Sequence, residues 1–592
     1  MSEELNEENV PETQPEVQPE DNGTASAAAV AETPHKGFFG KIDKWFGITK
    51  SGSNYKTEII AGLTTFMAMV YILMVNPGMF QNVIISDNPF GASYIATAIG
   101  AIVGTLLMAF LAKMPLAQAS GMGVNAFVVY TLVLSSGLSY PNAMVFTLLD
   151  GVIFIILSAT GLRKYIFKAI PDEVRKAINV GLGLFIAFIG LQNATAIVND
   201  NSTLVSLASF NVLSANFATY SAGSVSGILP ALVAMLGVVL IAILSKKKVK
   251  GAILWGILGS TALYFIMAGF GCLAGGADLV SATFAESQFN YTVPENLLPY
   301  ISTAFDPISG ANVVNITNMP FAEFTALIGE VPQNVVVSHF YTNGLACKQI
   351  FSAIANQFTF NPFSAFAAWG KDAAGKVFYE GFDFSGYLGV QGHNVGSLVL
   401  LIITSALSLC MLDMFDTIGT LYGACEKGGL LDKEGNPLNM NKCMLSDAVA
   451  TTVGAIAGTS TVTTFVESSA GVAAGGKTGF TALVTGLCFI VAMFLSPIAQ
   501  LIPSAATATA LIWVGVLMMS SVTNIEWTDP AKALPAFLTI AVMAFGYEIS
   551  YGIGIGMISS LIIKVCTGKI KEISVVTWII TIFFLATFIL TH

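Results

Sequence analysis

Apolar runs of about 20 residues, the length needed to cross a hydrocarbon core, recur along most of this chain. No other feature constrains it as much. In lipid a spanning segment must satisfy its own backbone, so it is either helix or part of a closed barrel. The runs are continuous rather than alternating apolar and polar, which argues against a barrel. Only 10% of the 592 residues are charged and 54% are apolar, whereas a soluble domain is about 25% charged. The fold class is an all-α polytopic membrane protein.

Spans are predicted near 57–77, 92–113, 119–135, 141–160, 174–195, 226–245 and 250–270, and again near 397–423, 444–458, 460–473, 478–500, 504–522, 533–547 and 550–567. Basic residues set the orientation. Lys36, Lys41, Lys44, Lys50 and Lys56 precede the first span. Arg163, Lys164, Lys168, Arg175 and Lys176 lie between the fourth and fifth, and Lys246, Lys247, Lys248 and Lys250 between the sixth and seventh. The alternate connections, 78–91, 136–140 and 196–225, carry neither Lys nor Arg. All three clusters fall on one side, which places the N-terminus in the cytoplasm.

The net charge of −10 owes much to residues 1–35. That acidic, Pro- and Ala-rich stretch has little to bury and is predicted to be a disordered tail. It lacks the basic and apolar regions of a signal peptide. Five of the seven cysteines lie in or beside spans, where Cys is a small apolar residue. Cys272 and Cys347 fall in the long 271–396 connection and would be able to pair in an oxidising space. That connection is too long for a bare loop and is expected to fold as an extracellular cap. Another apolar run, 573–590, follows the second set. No CxxC and no cluster of His with acids indicates a metal, and no enzyme motif is present. GGKTGF (475–480) lacks P-loop spacing and reads as a cytoplasmic turn.

Seven spans put the start of the second set on the far side, so two sevenfold halves have opposite topology. Faint echoes support this. Ile170-Pro171 precedes span five as Ile502-Pro503 precedes span twelve, and Leu229-Pro230-Ala231 opens span six as Leu534-Pro535-Ala536 opens span thirteen. Their matching order suggests an inverted repeat, as in secondary transporters.

Three acids stand inside apolar stretches: Asp413 and Asp416 in LCMLDMFDTIGTLYG, and Glu467 in GTSTVTTFVESSAGV. A carboxylate at bilayer depth costs roughly 2.5 to over 10 kcal/mol and is kept when it faces a partner, a substrate or a proton path. Asp413, Asp416, Thr417 and Thr420 fall at i, i+3, i+4 and i+7, one polar stripe on an apolar helix. Two acids one turn apart repel when both are ionised, which suits a group that loads and releases a proton. Asp447 reads as the N-cap of span nine, and Asn76-Pro77 as the end of span one.

The third span of each half, beginning MPLAQASGMGVNAF and GTSTVTTFVESSAG, is short and rich in Gly, Ser and Thr. Gly costs about 1 kcal/mol in a helix, and the TSTVTT run favours extended backbone. Each is read as a short extended stretch followed by a half-helix, tolerated at depth only where it lines a cavity. The stretches can pair, and each half-helix then presents roughly +0.5 charge at its N-terminus. Asn125 and Glu467 sit inside these half-helices. An amide and a carboxylate match the donor and acceptor edge of a planar heterocycle.

The segments AGLTTFMAMVYILMVNP, ASGMGVNAF, IPDEVRKAINVGLGLFIAFIGLQNA, MFDTIGTLYG and GTSTVTTFVESSAGVAAGGKTGF resemble those of AzgA-like purine permeases in the nucleobase:cation symporter-2 (xanthine/uracil permease) family. The resemblance spans nearly all of 56–270 and 400–568. It implies fourteen spans in a seven-plus-seven inverted repeat. A core domain (56–160, spans 1–4, and 397–500, spans 8–11) would move against a gate domain (174–270, spans 5–7, and 504–567, spans 12–14). It implies import of adenine, guanine or hypoxanthine by proton symport through a plasma-membrane protein. Binding roles carry over onto Asn125, Asp413 and Glu467, with the backbone near Gly123 and Phe465 facing the base. Asp413, Asp416 and Glu467 are the candidates for proton coupling. The implied partners are a purine base, a proton and the lipid bilayer, without nucleic acid, cofactor or metal, and with a homodimer left open.

Overall fold

The computed structural model describes residues 38–160, 170–200, 203–211, 215–221, 224–289, 291, 293–306, 311–328, 335–357, 360–391, 393–433 and 436–590. The 1–35 tail, Lys36, Arg163, Lys164 and Lys168 lie outside the described residues. Among the described residues, ten helices are long and apolar enough to cross a membrane, with shorter apolar helices at Met122–Ser135, Pro530–Phe545 and Val575–Ile589. The outward faces are apolar. On Ile228–Lys246, for example, Met235, Leu236, Val239 and Ile243 are all exposed. Exposed apolar rows on otherwise buried helices are surfaces for lipid.

The first long helix is broken in the middle without a proline. Tyr55–Met69 and Ile72–Phe80 meet at Val70 and Tyr71, where the Leu73 and Met74 amides bond three residues back instead of four. That tightened turn rotates Tyr71 toward the bundle interior, where it is fully buried. Asn76 and Pro77 do not end the span, contrary to the sequence reading. The helix runs through them to Phe80, and Asn76 Nδ2 donates to Thr97 at 2.7 Å and Thr459 at 3.1 Å. Those bonds hold the second half-helix in the bundle.

Two three-residue strands lie inside the helical bundle. Gln118–Ser120 and Val462–Thr464 pair antiparallel, Ala119 opposite Thr463. Backbone bonds extend the ladder at both ends, from the Gly121 amide to the Thr461 carbonyl and from the Phe465 amide to the Ala117 carbonyl, each 3.0 Å. Exposed edges at this depth are closed by neighbouring helices, as buried backbone requires. The first strand passes through Gly121 into the helix Met122–Ala126 and a π-helical stretch, Phe127–Ser135. The second passes through Phe465 and Val466 into Ser468–Ala473, with Glu467 at its N-cap.

Asp172–Asn193 and Ser504–Met519 both begin just after a proline, Pro171 or Pro503, in the N-cap position. They pack with their backbones nearly touching. A Cβ on Gly515 would lie 2.4 Å from the Gly183 carbonyl oxygen, and one on Gly183 would lie 2.9 Å from that of Gly515. Only glycine permits this approach.

The 271–396 connection is folded. Its strands Asp278–Ala285, Ile301–Asp306, Ala311–Pro320 and Val337–Thr342 join Thr219–Ser221 and Ser224–Ser226 in one six-stranded sheet. Cys272 and Cys347 are both free thiols in this structure. The 573–590 run forms the helix Val575–Leu590, whose Phe584 is buried against Gly554.

Candidate functional site

The long helix Val395–Gly428 passes beside the strand pair and carries both aspartates. They do not share one environment. Asp416 is half-buried. Its Oδ2 accepts from Thr463 Oγ1 at 3.2 Å and lies 3.5 Å from where a Gly121 Cβ would stand. It therefore sits at the point where the first strand turns into its helix. Glu467, also half-buried, accepts from the Tyr71 hydroxyl at 2.6 Å. Asp416 and Glu467 thus occupy corresponding corners of the strand pair, each tied by one hydroxyl. Each keeps carboxylate lone pairs for another donor.

Asn125 is buried one turn into its helix. It does not cap that helix, whose N-cap is Gly121. Its Oδ1 accepts from Ser460 Oγ, and its Nδ2 donates to the Ser120 carbonyl at 3.4 Å. Ser120 Oγ is 2.7 Å from Thr459 Oγ1, so these bonds tie the first strand and its half-helix to the turn that precedes the second strand. Gly123 faces the other way, onto Leu182, where an added Cβ would meet Cδ2 at 2.2 Å. Phe465 is nearly buried beside Glu467.

Asp413 points elsewhere. It is fully buried, and no N–H or O–H group donates to either oxygen. The acids whose charges act on it are Asp447 and Asp150. Asp447 is not the helix cap the sequence suggested. Met440–Ala457 is capped at Asn439, which leaves Asp447 two turns inside, accepting from Gln118 Nε2 at 2.9 Å and Thr417 Oγ1 at 2.7 Å. Asp150, in the middle of Tyr140–Thr160, accepts from Thr461 Oγ1 at 2.8 Å.

Sequence reasoning missed Tyr71, Asp150 and Asp447. Asp150 carries the same signal as the acids that were found, a carboxylate within an apolar run. Tyr71 has no such signal, because its partner lies 396 residues away. Thr64, which bonds its own helix at the Ile60 carbonyl, takes no part in the site.

A cleft of about 200 Å³ opens between Asp172–Asn193, Val395–Gly428 and the turn after Ser504–Met519, lined by Arg175, Lys176, Asn179, Gly419, Ser521 and Asn524. Farther along the first of these helices, Tyr130, Phe185, Phe188 and Tyr547 form an edge-to-face cluster. Tyr130 belongs to the Phe127–Ser135 stretch and Tyr547 precedes the helix Ile549–Cys566.

A model of the Permease family, built on xanthine/uracil permeases, matches residues 56–307 and 319–555. The guanine/hypoxanthine permease PbuO of Bacillus subtilis is 34% identical over 92% of this chain and 100% of its own length. The adenine permease AdeP of Escherichia coli is 29% identical over 92% of this chain and 95% of its own. Among solved structures, the transmembrane domain of the cyanobacterial bicarbonate transporter BicA matches with a TM-score of 0.48 at 12% identity, over 84% of this chain and 97% of that one.

Proposed function

The chain belongs to the nucleobase:cation symporter-2 (xanthine/uracil permease) family, and from that premise we propose that it is a secondary active transporter importing purine nucleobases by proton symport. The substrates are adenine, guanine and/or hypoxanthine, matching the names of its relatives. One observation carries the reading. Two acids of the second half, Asp416 and Glu467, sit at the turning points of two paired strands, one strand from each half, inside an apolar bundle. Purine ring N–H groups donate to these carboxylates, and the amides at the start of the half-helices face the base's acceptors. Asn125 ties the first half-helix to the turn before the second strand, Phe465 lends an apolar face, and Gly123 keeps the first half-helix close to Leu182.

The same reading has fourteen spans arranged as two inverted sevens, with the N-terminus cytoplasmic and the protein in the plasma membrane. The core (56–160 and 397–500) moves as an elevator against the gate (174–270 and 504–567). The Gly183–Gly515 contact supports a gate that moves as one body, since backbones this close cannot slide freely. The cleft near Arg175 and the aromatic cluster farther along the same helix are consistent with access at two ends, which supports alternating access.

Uptake of labelled hypoxanthine in cells lacking their own carriers, with adenine, guanine, xanthine and uracil as competitors, tests the reading. Purines other than xanthine compete, a protonophore collapses accumulation, and replacing sodium does not. Preferential displacement by xanthine or uracil supports the second reading, a xanthine/uracil permease, which the family model's own name favours. An anion transporter is disfavoured, because the site is lined by acids rather than bases.

A further inference from the structure

One buried carboxylate of the core has no part in the site described above. Glu58 lies in the first turn of Tyr55–Met69 and is fully buried. Among the described residues, no Lys, Arg or His pairs with it. Its donors come from GGKTGF and the residue after it, where the Glu467 half-helix turns into the helix Gly479–Ala492. Oε1 accepts from the Lys477 amide at 3.0 Å. Oε2 accepts from the Thr478 amide at 3.3 Å, Thr478 Oγ1 at 2.8 Å and Thr481 Oγ1 at 2.6 Å. Successive amides at a helix start make a nest for an anion, and here the anion is the protein's own side chain. The motif's composition follows from this. Gly475 has a φ of +102°, which lets the turn wrap back over Thr57.

The first span holds the half-helix Ser468–Ala473 at two further points. A Cβ on Gly471 would lie 2.6 Å from the Ala61 carbonyl oxygen, so the two backbones touch in the middle. Just past the helix break, Tyr71 donates to Glu467 itself at 2.6 Å. Glu58, Ala61 and Tyr71 thus secure the turn after the half-helix, its middle and the acid at its start. Of these contacts, the one at Glu58 sets a charge against four donors, and hydrogen bonds to a charged group are the stronger kind.

We propose that Glu58 is a positioning residue for base binding: by holding the 475–481 turn, it fixes where the Glu467 carboxylate stands. The inference rests on the transport reading above, in which Glu467 faces the base. Gln cannot take over this role. Each carboxylate oxygen receives a backbone N–H that cannot turn away, so in either flip the NH2 of Gln opposes one of them. The turn then loosens and the half-helix with it, although no group that touches the base has been altered. A displacement of ~1 Å at such a group costs up to about 100-fold.

Hypoxanthine uptake into proteoliposomes of the full-length protein, under a fixed pH gradient, gives KM and the maximal rate per transporter. Glu58→Gln raises KM about tenfold and leaves the maximal rate within about twofold. Thr481→Val, which removes one hydroxyl donor and keeps the carboxylate, raises KM by a smaller factor; it carries the test if Glu58→Gln does not reach the membrane. Glu58→Gln combined with Tyr71→Phe raises KM by less than the product of the separate factors, because both release one half-helix. A glutamate that only stabilised the fold would lower the yield and the maximal rate and leave KM alone. That pattern, in whichever variants reach the membrane, overturns the proposal, as does full multiplication of the two factors. Deuterium exchange of the substrate-free protein separates this inference from the transport reading. The amides of 468–478 exchange faster in Glu58→Gln than in wild type, and unchanged exchange there overturns the proposal even where transport is confirmed. A wild type that takes up no purine sinks the transport reading, while faster exchange in the variant leaves the hold of Glu58 on the half-helix standing.

Discussion

Tyr71 and Glu467 illustrate how much of this site depends on single hydrogen bonds. Among the described residues, the tyrosine hydroxyl is the one side-chain donor to the glutamate, and a hydrogen bond to a charged group contributes about 1.5–3 kcal/mol. Tyr71→Phe is expected to raise the KM for hypoxanthine by about tenfold or more while surface expression stays normal; an unchanged KM removes Tyr71 from the site. Glu467→Gln and Asp416→Asn are expected to abolish uptake with the protein still in the membrane, as scored by labelled hypoxanthine and immunoblot. Normal uptake in both would discard the assignment of the base-facing acids. At this scale the sequence was informative where a residue broke a physical rule. Asp416 and Glu467 stood out as charges within apolar runs, and so, had it been weighed, would Asp150. Asp447 misled because a polar stretch precedes it, placing it near the expected start of a helix rather than within one. The division between Asp413 and Asp416 was not legible, since three residues along a helix leaves open which neighbouring helix each side chain meets.

Helices and strands were legible to different degrees. Apolar length alone indicates the helices, and Gly together with β-branched residues explains why backbone at 118–120 and 462–464 is extended. The break at Val70 and Tyr71 has no local cause in the sequence, neither Gly nor Pro, and is imposed by packing around Tyr71. Two changes probe this scale. Gly515→Leu forces a Cβ to within 2.4 Å of a backbone oxygen that cannot move aside. Overpacking of this kind costs at least about 1–3 kcal/mol, so a lower melting temperature in detergent is expected, and an unaltered one would contradict the close helix contact. Thr463→Pro deletes the amide of a buried strand residue, which the ladder does not tolerate. Loss of uptake is expected even if the protein still reaches the membrane, and retained uptake would mean the strand pair is dispensable.

At the scale of the whole molecule, one polar contact joins helices of the two proposed domains near the aromatic cluster. Ser135 Oγ donates to Glu548 at 2.7 Å, next to the aromatic cluster around Tyr547. If the domains slide past each other, this pair must part in every cycle. The double variant Ser135→Cys with Glu548→Cys is therefore expected to form an oxidant-dependent crosslink that stops uptake, with activity returning on reduction. A crosslink that leaves uptake untouched would exclude relative motion at this point. The strand pair carries a different implication, one for how the protein is made. Gln118 and Thr464 lie 346 residues apart, which is about 17–70 s of synthesis at ~5–20 residues per second. Until the ribosome reaches the second strand, the first has no partner for its backbone in the membrane. The newborn first half must wait at the insertion machinery, or lean on another protein, with its unfinished edge sheltered from lipid. The strand pair beside the candidate site is thus completed only after most of the chain has been made.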